Sequence, residues 1–332
     1  MSKLTPAFSG VPESDNRAMT STVLNQSSPE TMPAFARILV ATDFSPASRA
    51  AFHTALDLCT MFGSTLTILH VFEYVEATPM PGVGSIVDLQ NLDQDARNWL
   101  HALKREAAQS GVQAVTLLRA GSPAATIQEA ILSEHIDLAV LGTSALHGFE
   151  RLVFGSTAEA VLRKAPIPVI TVGPRARSAV LPEQARPVVF ATDFHATTVH
   201  AIRFAAVLSQ ATDSPLHCLH VLPRSLEGGT LSSAIPTILN EALQQVAVSS
   251  GLAVDHPVAA TTFGSEVSNA VVDYAKQHHA KLIVLGIRQA SLASTHTPAH
   301  IAYRIITEAS CPVLTMAFES HHRSHSLAAA CL

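Results

Sequence analysis

Residues 137–168 read Asp-Leu-Ala-Val-Leu-Gly-Thr-Ser-Ala-Leu-His-Gly-Phe-Glu-Arg-Leu-Val-Phe-Gly-Ser-Thr-Ala-Glu-Ala-Val-Leu-Arg-Lys-Ala-Pro-Ile-Pro. The apolar run Asp137–Leu141 has the pattern of a buried strand, and a helical pattern opens at Ser156 after glycines at 142, 148 and 155. A strand, a glycine-bearing loop and a helix start are thus set in a row. Such a junction offers unpaired backbone N–H groups and the positive end of a helix dipole, which suits a phosphate. The same glycines also fit a turn that needs them for geometry alone, and the junction by itself favours neither reading.

The elements on either side extend this pattern. Upstream, Arg37-Ile-Leu-Val-Ala-Thr-Asp43 is a short apolar run ending in a carboxylate, expected as a buried parallel strand. Ser45 and Pro46 suit the cap and first position of a helix whose apolar face carries Ala51, Ala55, Leu58, Cys59 and Phe62, with Gly63 as its stop. Thr65–Val71 is a second strand, and a helix with Leu89, Leu92, Ala96, Trp99 and Leu103 in register runs on to Gly111. Val112–Arg119 is a third strand. Pro123–Glu134 is a helix capped by Ser122, and Ser156–Lys164 and Pro168–Val172 close the unit. Five strands alternating with four helices predict an α/β fold with a parallel sheet covered on both faces.

The unit then repeats. Ile38-Leu-Val-Ala-Thr-Asp-Phe44 recurs as Val188-Val-Phe-Ala-Thr-Asp-Phe194, and Leu69-His-Val71 as Leu219-His-Val221, both 150 residues on. Val140-Leu-Gly142 and Pro168-Val-Ile-Thr171 recur 144 residues on as Val284-Leu-Gly286 and Pro312-Val-Leu-Thr315. The expected organisation is a flexible tail over 1–34, a first domain over 35–173, a linker over 174–186, a second domain over 187–318 and a tail over 319–332.

Composition narrows the function classes. The 332 residues are 48% hydrophobic with a mean hydropathy of +0.28, yet no apolar run approaches the ~18 residues of a membrane span. A formal charge of -5 and a pI near 6.4 leave no broad basic surface, so neither membrane nor nucleic acid is expected as a partner. Cysteines 59, 218, 311 and 331 lack any Cys-x-x-Cys or zinc spacing, which reads as buried thiols in a reducing compartment. No basic segment followed by an apolar core opens the chain, and the expected location is the cytoplasm.

Read together, the Ala-Thr-Asp strand end, the Leu-His-Val strand end, the glycine-bearing loop and the closing Pro-Val-Ile-Thr-Val resemble the universal stress protein family, in tandem form, over residues 36–317. The resemblance implies two open five-stranded parallel sheets, order 3-2-1-4-5, of Rossmann-like form. It implies an adenine nucleotide as ligand: ATP, with AMP or ADP as variants and magnesium accompanying ATP. By position, Asp43 and Val71 face the adenine and ribose end, Ala41 and Leu141 line the pocket, and Gly142, Gly155, Ser156 and Thr157 surround the phosphates. The family's signature is Gly-x-x-Gly, nine residues, then Gly-Ser or Gly-Thr. Here the second glycine is Ala145, where a left-handed alanine would cost about 1–2 kcal/mol.

Aligned without a gap, the second copy keeps Gly286 but has Gln289, Ala299 and His300 in place of Ala145, Gly155 and Ser156. It is expected as a degenerate, structural half that pairs with the first through the edge strands 168–172 and 312–316, as subunits pair in the family's dimers. A further homodimer and an unidentified protein partner complete the expected associations. Asp43 is assigned to ligand contact and Asp193 to helix capping. His70, His220 and the tail histidines 321, 322 and 325 are given no catalytic or metal role. With no Walker loop, Gly-x-Gly-x-x-Gly fingerprint or Gly-x-Ser-x-Gly elbow, the chain is not read as an enzyme. The rival reading is a nucleotide-free dimerisation or interaction scaffold in the stress response. A slow ATPase is the third and least supported.

Overall fold

A computed structural model describes residues 35–73, 89–143, 155–176, 186–195, 200–228, 234–249, 257–288 and 298–318. Both expected tails, most of the linker, and Ala145, Gly148 and Gln289 lie outside the described residues. The first half contains β1 (Arg37–Ala41), α1 (Pro46–Phe62), β2 (Thr65–Phe72), α2 (Leu89–Gln109), β3 (Ala114–Ala120), α3 (Pro123–Ser133), β4 (Leu138–Gly142), α4 (Ser156–Lys164) and β5 (Val169–Val172). The second contains β6 (Val188–Ala191), α5 (Ile202–Ala211), β7 (Leu216–Pro223), a 3₁₀ turn (Arg224–Leu226), α6 (Ala234–Ser249), β8 (Val258–Gly264), α7 (Val267–Gln277), β9 (Leu282–Arg288), α8 (Pro298–Glu308) and β10 (Val313–Phe318).

Local chemistry explains the element ends. Ser45 takes an extended backbone and its hydroxyl accepts the Ser48 N–H, so α1 starts on a side-chain cap with proline behind it. Gly63, at φ 66°, closes the same helix in the left-handed conformation that glycine adopts without steric cost. Ser122 does occupy the cap position of α3, but its side chain makes no capping bond there.

The strand order is β3-β2-β1-β4-β5-β10-β9-β6-β7-β8, so each half has the order 3-2-1-4-5 and the two sheets form one of ten strands. Parallel pairing sets Ile38 against Leu66 and Leu138 in the first half, and Val188 against Leu216 and Leu282 in the second. The register of the halves thus repeats at the two spacings found in the sequence. Between β5 and β10 the pairing is antiparallel, with Ile170 opposite Leu314, Thr171 opposite Val313 and Thr315 opposite Val169. Ile170 and Leu314 are themselves repeat equivalents, so the halves are related by a pseudo-twofold axis at this pair. The joint covers an edge strand in each half.

Strand alternation splits the core into two layers. Ile38, Val40 and Ile68 pack with Phe52, Leu58 and Leu103 from α1 and α2; Leu39 and Leu69 pack with Ile127, Ile131 and Val161 from α3 and α4. Both layers continue into the second half through Phe190 and Val284 on one side and Ile283 and Ile305 on the other. Trp99 departs from expectation. Ala96, Leu100 and Leu103 bury the inner face of α2, whereas Trp99 is 55% exposed and rests against Phe44, ring centroids 4.8 Å apart.

Candidate functional site

The residues expected at a ligand site gather along the carboxyl edge of the first half-sheet. β1 delivers Ala41 and, just beyond its end, Asp43; β2 delivers Val71; β4 delivers Leu141 and Gly142. β1 lies between β2 and β4, and the connection reverses direction there, the place where open α/β sheets form a crevice. Leu141 is buried in the core layer of Leu39 and Leu69, while Asp43 and Ser156 are exposed and Ala41, Val71, Gly155 and Thr157 are half-buried.

The loop after β1 is tightly built. Thr42 Oγ1 accepts the Phe44 N–H at 3.0 Å, and Asp43 Oδ1 accepts the Ser45 N–H at 3.0 Å. Phe44 sits at φ 64°, a conformation uncommon for a bulky residue. His70 Nδ1 donates to the Thr42 carbonyl at 2.7 Å, and its ring lies 4.5 Å from that of Phe44. The second half reproduces this set: Phe194 at φ 60°, its N–H on Thr192 Oγ1 at 3.0 Å, the His195 N–H on Asp193 Oδ1 at 3.0 Å, and His220 Nδ1 on the Thr192 carbonyl at 2.8 Å. Both histidines therefore brace the loop. Partial burial of Asp43 works against its charge, but hydrogen bonds from Ser45 and Ser48 outweigh it and hold the carboxyl below its usual range.

The two glycines carried over to the phosphate end differ in what they do. A Cβ on Gly142 would lie 2.3 Å from the Ala47 carbonyl oxygen and 2.7 Å from the Ser48 nitrogen, so the approach of α1 to β4 demands glycine. Gly155 meets nothing within 4 Å of the same imaginary atom, and its φ of -60° suits any residue. It heads α4 as the residue before Ser156, with no side-chain cap. Ser156 begins α4, the boundary expected from the sequence.

Sequence reasoning overlooked the aromatic group of Phe44, His70, Phe72 and Trp99 beside Asp43. A signal was present in Phe44 and Phe194, which follow the repeated Thr-Asp in both halves. Among the described residues no group of three or more histidines, cysteines or acids could hold a metal ion. Also among the described residues, no helix is long and apolar enough to cross a membrane.

At the matching edge of the second half lies a cavity of about 170 Å³. Its polar end keeps Thr192, Asp193 and His220. Its other end is apolar: Ile287 and Ile301 stand where the first half has Thr143 and Thr157.

Comparison with known proteins places this architecture. The profile of the Universal stress protein family matches residues 34–173 and again residues 184–316. A putative universal stress protein of Staphylococcus haemolyticus is 31% identical over 168 residues, covering 49% of this chain and 97% of that one. A universal stress protein of Methanocaldococcus jannaschii is 30% identical over 139 residues, covering 42% and 82%. The crystal structure of a universal stress protein from Archaeoglobus fulgidus superposes with a TM-score of 0.65 at 20% identity, covering 85% of this chain and 98% of that one, a likeness of fold. Two successive matches to the family, on two halves that repeat one topology, make this chain a tandem member of the universal stress protein family.

Proposed function

We propose that the first half binds an adenine nucleotide, with ATP as the principal ligand, and that the second half is a degenerate copy that supports it. The observation that carries this reading is the start of α4, which opens at Gly155 and Ser156 with free space where a Cβ on Gly155 would stand. An anionic phosphate there would gain the helix dipole and several backbone donors at once. Asp43, held ionised, is a ready acceptor for ribose hydroxyls, and Ser156 adds a hydroxyl at the phosphate end. Ala41, Val71, Leu141, Gly142 and Thr157 complete the site. The reading is of a nucleotide-binding protein of the stress response. Cytoplasmic residence agrees with the buried thiols of Cys59, Cys218 and Cys311, each pushed up to about 12 and kept unreactive by burial.

The second reading is a nucleotide-free interaction scaffold. It is favoured by the β5–β10 joint, which assembles both halves without any ligand. Trp99 is the only tryptophan of the chain and lies against Phe44, next to Asp43, so its fluorescence distinguishes the two. Titration with ATP and magnesium is expected to give a saturable change that Ser156→Ala weakens. No change, with no shift in melting temperature, would favour the scaffold.

A further inference from the structure

Trp99 stands outside the core, yet it lies against the loop that carries Asp43. We propose that it is a positioning residue: together with His70 it clamps Phe44 in its left-handed conformation and so fixes the Asp43 carboxylate as acceptor for the ribose hydroxyls of the nucleotide. The inference rests on the nucleotide reading of the first half and assigns the sugar selectivity of that site to an aromatic stack beside it.

The clamp is built from contacts that lock one another. The Phe44 ring meets two others, 4.5 Å from that of His70 and 4.8 Å from that of Trp99, both at the tilted angles aromatic pairs prefer. His70 is itself fixed, since its Nδ1 donates to the Thr42 carbonyl at 2.7 Å and its ring meets Phe72 edge-on at 5.2 Å. A bulky residue at φ 64° is strained and stays there only where its surroundings hold it. That conformation closes the turn in which Asp43 Oδ1 accepts the Ser45 N–H at 3.0 Å, a bond that spans Phe44. Release of the Phe44 ring would therefore release the carboxylate.

Comparison of the halves separates the clamp from the loop it acts on. The second half keeps Phe194 at φ 60° with the His220 ring 4.8 Å away, but α6, the α-helix that follows β7 as α2 follows β2, holds no aromatic residue. The one tryptophan of the chain thus covers the loop of the half that keeps Gly155 and Ser156. Nor does α2 depend on it for its anchorage, because Ala96, Leu100 and Leu103 bury the inner face of the helix. Its contact with Phe44 is left as its work.

The test compares Trp99→Ala and Trp99→Tyr with the native protein, all as full chains. Without ligand, the Asp43 carboxyl, followed by the NMR shift of its carboxyl carbon, is expected to titrate at higher pH in Trp99→Ala, because the Ser45 bond that holds it down is loosened. Trp99→Tyr, which restores an aromatic face, should return it toward the native value. By calorimetry the native chain should bind ATP about tenfold more tightly than 2′,3′-dideoxy-ATP, a preference that falls to about twofold in Trp99→Ala and is regained in Trp99→Tyr. An Asp43 titration identical in Trp99→Ala and the native chain overturns the clamp, whether or not nucleotide binds. An undiminished preference for ATP in Trp99→Ala overturns its part in recognition. A native chain that binds neither nucleotide, with Asp43 still responding to Trp99, would refute the nucleotide reading and the sugar selectivity with it, while confirming the clamp.

Discussion

Gly142 lies so close to Ala47 that a Cβ on the glycine would stand 2.3 Å from the Ala47 carbonyl oxygen. The end of β4 and the first turn of α1 are thereby held in backbone contact, at the crevice where β1 meets β4. Gly142→Ala is expected to force α1 outward and cost about 1–3 kcal/mol of stability, measured by denaturant unfolding. An unchanged midpoint would contradict the packing role.

Gly155 should behave in the opposite way. Nothing lies within 4 Å of its imaginary Cβ, so Gly155→Ala is expected to change stability by no more than about 1 kcal/mol. The added methyl would occupy the space in front of α4, and ATP affinity should fall about tenfold or more, read by Trp99 fluorescence. A pair of glycines from one motif would then separate into a structural and a ligand-facing member.

The pseudo-twofold joint carries an asymmetry. Thr315 Oγ1 donates to the Val169 carbonyl at 3.3 Å, whereas its repeat equivalent Thr171 has a buried hydroxyl with no partner among the described residues. Thr171→Val should stabilise by about 1 kcal/mol, since it removes an unsatisfied polar atom at nearly constant shape. Thr315→Val should destabilise by about 0.5–1.5 kcal/mol. Thermal unfolding of the two variants checks the difference in sign.

His217 makes a pH prediction. Burial, and then the charge of His278, hold its pKa below the usual value, while Nδ1 lies 3.0 Å from the Tyr274 hydroxyl. The unfolded chain therefore binds this proton at a higher pH than the folded one. Its contribution to stability is full above about pH 6.5, declines as pH falls below that toward the depressed folded value, and is lost beyond it. His217→Gln should flatten that part of the melting-temperature profile; an unaltered slope would contradict the assignment.

Much of this architecture is legible in the chain because local chemistry and repetition agree. Ser45-Pro46 and Gly63 mark both ends of α1, Ser156 opens α4, and spacings of 150 and 144 residues reappear as the strand register of the second half. The edge strands named from the repeat are those that pair. Trp99 escaped because helical periodicity assigns it to the apolar stripe, while the left-handed Phe44 presents an aromatic face that holds it outside the core. The distinct duties of Gly142 and Gly155 could not be separated in sequence, since one depends on contact with Ala47, 95 residues earlier. The cavity of the second half is set by how Val271, Ile287 and Ile305 fill space, a matter of volume rather than pattern.

The most direct measurement is calorimetric titration of the full chain with ATP and magnesium, after a denatured sample has been checked for co-purified nucleotide. The account predicts one site per chain, weakened by Ser156→Ala and untouched by Asp193→Asn. Two equivalent sites would contradict the division of roles between the halves, and no heat at high ligand concentration would contradict nucleotide binding itself.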